Sequence, residues 1–184
     1  MKFPILNKFD HIAELSLSQA QVKLLTFTTL LGASLLVPAV IHNQLITGPI
    51  VNALLFLSAS LLGSEQAILI GLIPSTAAVS RGLLPLAMAP MMPFIMLSNT
   101  ILISIFSRLR TTHPWLGIIA GSAAKAGFLS LIAYLVMPDL VPSAVAGKLQ
   151  AGMSWVQLMT ALAGGGLYRL VIQVGLKREY PAKN

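Results

Sequence analysis

Unbroken apolar runs of roughly bilayer-crossing length dominate this sequence, and they leave the backbone few folds to choose from. In hydrocarbon every peptide group must be paired internally, so only helices or a closed barrel can cross. A barrel would alternate apolar and polar residues over segments of about ten residues. Here the runs are continuous, as in Ile101-Leu102-Ile103-Ser104-Ile105-Phe106. Hydrophobic residues make up 56% of the 184 and charged residues only 9%, against roughly 25% charged in a soluble domain. The expected fold is an all-α membrane protein.

A membrane helix needs about 20 largely apolar residues, and six runs approach that length. They extend from Leu24 to Ile41, from Ile46 to Leu62, from Gln66 to Ser80, from Met91 to Ser107, from Trp115 to Met137 and from Ala151 to Leu176. The third is the shortest and carries Pro74, which removes a backbone donor and should kink it. The proline-studded stretch Pro85 to Pro93 reads as a loop feeding the fourth run, and Pro138-Asp139 opens the loop that reaches Lys148.

Lysine and arginine in short loops mark the cytoplasmic side. With the N-terminus inside, that side holds Lys2, Lys8, Lys23, Arg108, Arg110, Lys177, Arg178 and Lys183, and the outside holds Arg81 and Lys148. Six transmembrane helices with both termini cytoplasmic follow. Residues 1–22 form a cytoplasmic N-terminal segment, 23–177 the transmembrane domain and 178–184 a cytoplasmic tail. Asp10 and Glu14 ahead of the first run argue against a cleaved signal peptide. Ile5, Phe9, Ile12 and Ala13 share a helical face, so the segment is either an interfacial helix or an unstructured tail.

Three polar residues stand where hydrocarbon should be. Placing a lysine at the bilayer centre costs about 2.5 to 3.5 kcal/mol, so Lys125 needs a polar partner, water or a ligand. Its helix carries small residues at spacing four, Gly117 with Gly121, Ala120 with Ala124 and Ala123 with Gly127. Such patterns admit close helix approach and turn Lys125 toward protein. Asn52 and Asn99 also require hydrogen-bond partners in this medium. Counting helix rise places Asn52 roughly 9 Å, Asn99 roughly 12 Å and Lys125 roughly 18 Å below the outer surface. All three then line one outward-facing pocket beneath the loops carrying His42 and Arg81. The plainer alternative makes Lys125 a structural lysine bonded to helix-end carbonyls, Asn52 and Asn99 interhelical ties, His42 and Arg81 interfacial residues, and Arg169 a side chain snorkelling to the inner end.

Absences narrow the function. The acidic residues, Asp10, Glu14, Glu65, Asp139 and Glu179, lie outside the runs or at their ends, so the carboxylate relay of proton-driven pumps is missing. A metal-dependent membrane enzyme is disfavoured for the same reason. There is no cysteine, and no glycine-rich loop leading into Lys-Ser or Lys-Thr for ATP hydrolysis. The net charge of +7 comes from residues at the ends of runs, without the basic patch and interleaved aromatics of a nucleic-acid binder. A lone His42 does not make a metal site, and no cofactor is expected.

The stretch Thr47-Gly48-Pro49-Ile50-Val51-Asn52-Ala53, then Gly71-Leu72-Ile73-Pro74, Arg81-Gly82, and Ala89-Pro90-Met91-Met92-Pro93-Phe94 leading to Asn99, resembles the substrate-binding S components of energy-coupling factor transporters. The resemblance covers about residues 24 to 176, and its motifs are mostly Gly, Pro and Asn in apolar surroundings. It implies a six-helix bundle that captures a vitamin-like or other small polar solute from outside. That subunit docks on a transmembrane T component driven by two ATPase subunits, so the chain itself is not an enzyme. Asn52, Arg81, Asn99, Lys125 and His42 are then the substrate-binding candidates. Family members dock through small residues on the first helix, two alanines four apart. Here Thr28 with Gly32, or Thr29 with Ala33, take that spacing, a departure from the pattern. Nickel and cobalt members place His directly after the initiator Met, where this chain has Lys2, so no metal substrate is expected. The competing reading is a non-transporting scaffold or assembly factor whose buried polar groups only lock helices together.

Overall fold

In a computed structural model of the chain, residues 18–41, 43–80, 86–140, 147 and 150–179 are described. Six long helices account for most of them: α1 (Gln19–Val40), α2 (Gln44–Leu61), α3 (Ser64–Ser80), α4 (Met92–Leu109), α5 (Pro114–Leu140) and α6 (Trp155–Glu179). No strand occurs among the described residues. The starts are set by local chemistry. Ser18 and Gln21 form a reciprocal capping box on α1, satisfying two of the amides that the first turn leaves free. Asn43 Oδ1 accepts from the Leu45 amide at 2.9 Å to open α2. Between α2 and α3 the chain reverses at Gly63, whose φ of 95° is a conformation glycine adopts without a Cβ clash.

Two sequence expectations about proline need correction. The stretch read as a loop before the fourth run is a 3-10 helix, Leu86–Met91, that feeds directly into α4; proline at the start of a helix loses an amide that would be unpaired anyway. Pro138 does not end the fifth run, because α5 continues through it to Leu140. In the last turn a proline costs a single hydrogen bond.

Four segments are long and apolar enough to cross a membrane: Gln19–Val40, Gln44–Leu61, Ala89–Leu109 and Pro114–Asp139. The apolar part of α3, Ser64–Ile73, is shorter. The core is mainly apolar, yet the outer surface is apolar too and several polar side chains are buried. Leu24, Leu36, Val40, Leu131, Tyr134 and Leu170 are exposed, while Ser34, Asn52, Ser58, Ser98, Asn99, Ser122, Lys125 and Thr160 are buried. Water would penalise that apolar surface, whereas hydrocarbon accepts it and penalises exposed polar groups. This is the construction of a multi-pass membrane protein.

Contacts fix the helix order. α2, α6, α5 and α4 pack in a ring, with α3 against α2 and α4, and α1 against α2 and α3. Along α2, Gly48 faces Thr160, Asn52 faces Gly164, and Phe56 and Ser60 face Tyr168, so α2 and α6 run parallel. Proceeding along α5, Gly117 meets Leu109 and Phe106, Gly121 meets Leu102, and Lys125 meets Asn99; α5 therefore runs against α4.

One end of the ring is closed by aromatics. Phe56 and Phe106 sit edge to face at 4.8 Å, and Phe106 and Tyr168 at 5.4 Å. The Tyr168 hydroxyl bonds Ser60 Oγ at 2.8 Å, and Arg110 donates to the Ser60 carbonyl at 2.9 Å. Tyr168→Phe keeps the ring packing and deletes one hydrogen bond. It should lower stability in detergent by about 1 kcal/mol, measured by thermal unfolding. An unchanged midpoint would show that the Ser60 bond contributes nothing.

Candidate functional site

Halfway along the ring, three helices each contribute one polar side chain to a common point. Lys125 Nζ of α5 donates to Asn52 Oδ1 of α2 at 2.7 Å and to Asn99 Oδ1 of α4 at 2.8 Å. The three residues are 4%, 2% and 7% exposed. Each asparagine is held from behind: Asn52 Nδ2 donates to the Gly48 carbonyl at 2.9 Å, and Asn99 Nδ2 to the Gly71 carbonyl of α3 at 3.0 Å. With both amide nitrogens committed to backbone, both amide oxygens point at the lysine. Hydrogen bonds to a charged donor are about twice as strong as neutral ones, and the two asparagines set the position of Nζ.

Small residues make this convergence possible. A Cβ on Gly121 would lie 3.0 Å from the Leu102 carbonyl, and one on Gly117 would lie 3.2 Å from Leu109 Cβ. The expected Gly117-Gly121-Lys125 stripe thus lies against α4. The Ala123-Gly127 pair faces away, since both residues are exposed and a Cβ on Gly127 would meet nothing within 4 Å. On the other side of the site α6 presses on α2: a Cβ on Gly164 would fall 2.7 Å from both Asn52 Cβ and the Pro49 carbonyl. A Cβ on Gly165 would overlap Ile118 of α5. Sequence reasoning missed Gly164 and Gly165, although the run Gly164-Gly165-Gly166 was a visible signal of close packing.

Beyond Lys125, its own face of α5 continues as Leu129, Ala133 and Met137. These pack with Met91 and Met153 into a second buried apolar cluster, bordered by Phe94 and Ile95. Methionine is unbranched and adaptable, so this cluster is a deformable cap between the polar site and the end of the bundle where α2, α4 and α6 begin. Ser122 was also missed. It is buried one turn before Lys125, and its Oγ has no hydrogen-bond partner among the described residues.

Of the residues chosen from sequence, Asn52, Asn99 and Lys125 come together, while His42 and Arg81 lie outside the described residues, as does Lys148. The N-terminal residues Ile5, Phe9, Ile12 and Ala13 also fall outside them, as does the tail beyond Glu179. Thr28 and Thr29 are exposed on α1, and Thr28 Oγ1 bonds back to the Leu24 and Leu25 carbonyls at 3.1 and 3.0 Å. Gly32 and Ala33 are half-buried, and a Cβ on Gly32 would meet nothing within 4 Å. Arg169 places its guanidinium 5.5 Å from the centre of the Trp115 ring, at the start of α5.

No protein-family model matches the chain, and no curated protein and no solved structure is significantly similar to it. Its chemistry is therefore read from the cluster. The site is a fixed amino group in an apolar enclosure, bonded to two amide oxygens. Chemically it can tie α2, α4 and α5 together and can offer the remaining ammonium hydrogen to an acceptor. Among the described residues it holds no nucleophile paired to a base and no set of carboxylates for acid and base work.

Proposed function

We propose that this chain is a solute-binding membrane subunit of the S-component type. In this reading six helices cross the bacterial cytoplasmic membrane with both termini inside. The Lys125, Asn52 and Asn99 cluster receives a small vitamin-like or other polar solute from outside, with Arg81 and His42 above it. ATP hydrolysis belongs to partner ATPases acting through a T component, which the Thr28, Thr29, Gly32 and Ala33 face of α1 would meet.

One observation supports this most: Lys125 is buried between two neutral amide oxygens, with no carboxylate partner among the described residues. A helix tie could be built from asparagines alone, without an amino group that is costly in hydrocarbon. An amino group held ready for a guest justifies that cost. The reading is tested by affinity purification of the tagged full-length chain from native membranes in mild detergent. A T component and two ATPases should co-purify. Recovery of the chain with no ATPase under conditions that preserve other membrane complexes would contradict it.

The scaffold reading has one observation of its own. The bonds from Lys125 to Asn52 and Asn99 and from Asn99 to Gly71 tie α2, α3, α4 and α5 into one lock with no solute taking part. Under that reading, substitutions in the cluster change stability alone and the purified protein carries no guest.

A further inference from the structure

We infer that the solute held at this cluster is an anion, carrying a carboxylate or phosphate group that pairs with Lys125; the inference rests on the solute-binding reading above. It follows from matching donors with acceptors. Asn52 and Asn99 each have two amide donors and one amide oxygen. Their nitrogens are committed to the Gly48 and Gly71 carbonyls, and their oxygens to Lys125 Nζ. Reversing either amide would set its NH2 against the lysine and its oxygen against a backbone carbonyl. Both contacts would repel, so the orientation of each amide is fixed, with its oxygen toward Nζ.

What remains unmet is donor capacity. An ammonium has three hydrogens, and two are engaged. One turn earlier on α5, the buried Ser122 hydroxyl has no partner, and residues at this spacing share a helix face. When protonated, Lys125 also has no counter-charge among the described residues. Glu65 and Asp139 are exposed and lie in the first turn of α3 and the last turn of α5, and neither forms an ion pair with it. A cationic guest would meet the ammonium of Lys125 with no carboxylate beside it to offset the repulsion. A neutral guest would leave that ammonium without a counter-charge. An oxyanion accepts from Nζ, and charge neutralisation is what a low-dielectric site rewards most.

The test is to extract the full-length protein gently from membranes, confirm a bound small molecule by native mass spectrometry, release it by denaturation and determine its structure. The expected result is a molecule with an acidic group, present in wild type and in Lys125→Arg and absent from Lys125→Met. If Lys125→Met fails to fold, the variant Asn52→Leu/Asn99→Leu/Lys125→Met, which removes the whole polar cluster, takes its place. A released molecule that is an amine or a neutral amide, or one that Lys125→Met still holds, would overturn the anion and leave solute binding standing. A wild-type protein that emerges with no guest would overturn solute binding as well.

Discussion

Replacing Asn52 and Asn99 together by leucine is expected to destabilise the protein more than replacing Lys125 by methionine, and adding Lys125→Met to the double variant should restore much of the loss. The asymmetry follows from what each change leaves behind. Without the asparagines, the amino group of Lys125 remains buried with its two partners gone. Stranding a buried charge in this way costs about 3 to 5 kcal/mol. Without the lysine, two neutral amide oxygens lose their donor, at about 1 to 3 kcal/mol each. Against that loss, the cost of holding a lysine in hydrocarbon, about 2.5 to 3.5 kcal/mol, is removed. The net effect of Lys125→Met should therefore be small beside that of the double variant. Unfolding in detergent with increasing denaturant would measure all three. A triple variant no more stable than the double would show that the lysine charge is not the source of the penalty.

The second large effect is steric and lies on α6. Gly164→Leu should prevent normal assembly of α2 and α6. Even a methyl at this position would lie 2.7 Å from the Pro49 carbonyl and 2.9 Å from the Ala53 amide. Those are backbone atoms that cannot rotate aside. Overpacking typically costs about 1 to 3 kcal/mol; Gly164→Ala should fall in that range, and the bulkier leucine should exceed it. Gly127→Ala is the matched control. Its new methyl meets nothing within 4 Å, and alanine is favoured over glycine in a helix by about 0.8 to 1.0 kcal/mol, so stability should hold or rise. Equal losses at both positions would mean that the α2 and α6 contact is not specific.

These two cases show what could be read before the coordinates and what could not. The apolar runs located the six long helices to within a few residues, and four segments among them are long and apolar enough to cross a membrane, because a hydrocarbon solvent ties span length to composition. Lys125, Asn52 and Asn99 stood out because each is costly in that solvent without a partner. What could not be read was which atoms meet. Counting helix rise gives depth, but it does not give the rotation that aims Asn52 Oδ1 and Asn99 Oδ1 at one nitrogen while their amides turn to Gly48 and Gly71. The glycines on α5 were assigned to close packing, yet only Gly117 and Gly121 face α4, and Gly127 does not. Gly164 and Gly165 went unnoticed because α6 contains Gln157, Tyr168, Arg169 and Gln173 and does not read as a tightly packed span. Prolines misled in one direction: Pro90, Pro93 and Pro138, read as loop, all lie within helix.

The central claim is that an amino group fixed by two asparagines inside the bilayer exists to hold a guest molecule. Native mass spectrometry of wild-type protein beside the folded Asn52→Leu/Asn99→Leu/Lys125→Met variant tests it most directly. The account predicts one small molecule per wild-type chain and none on the variant. An empty wild-type protein, or equal occupancy of the two, would contradict it.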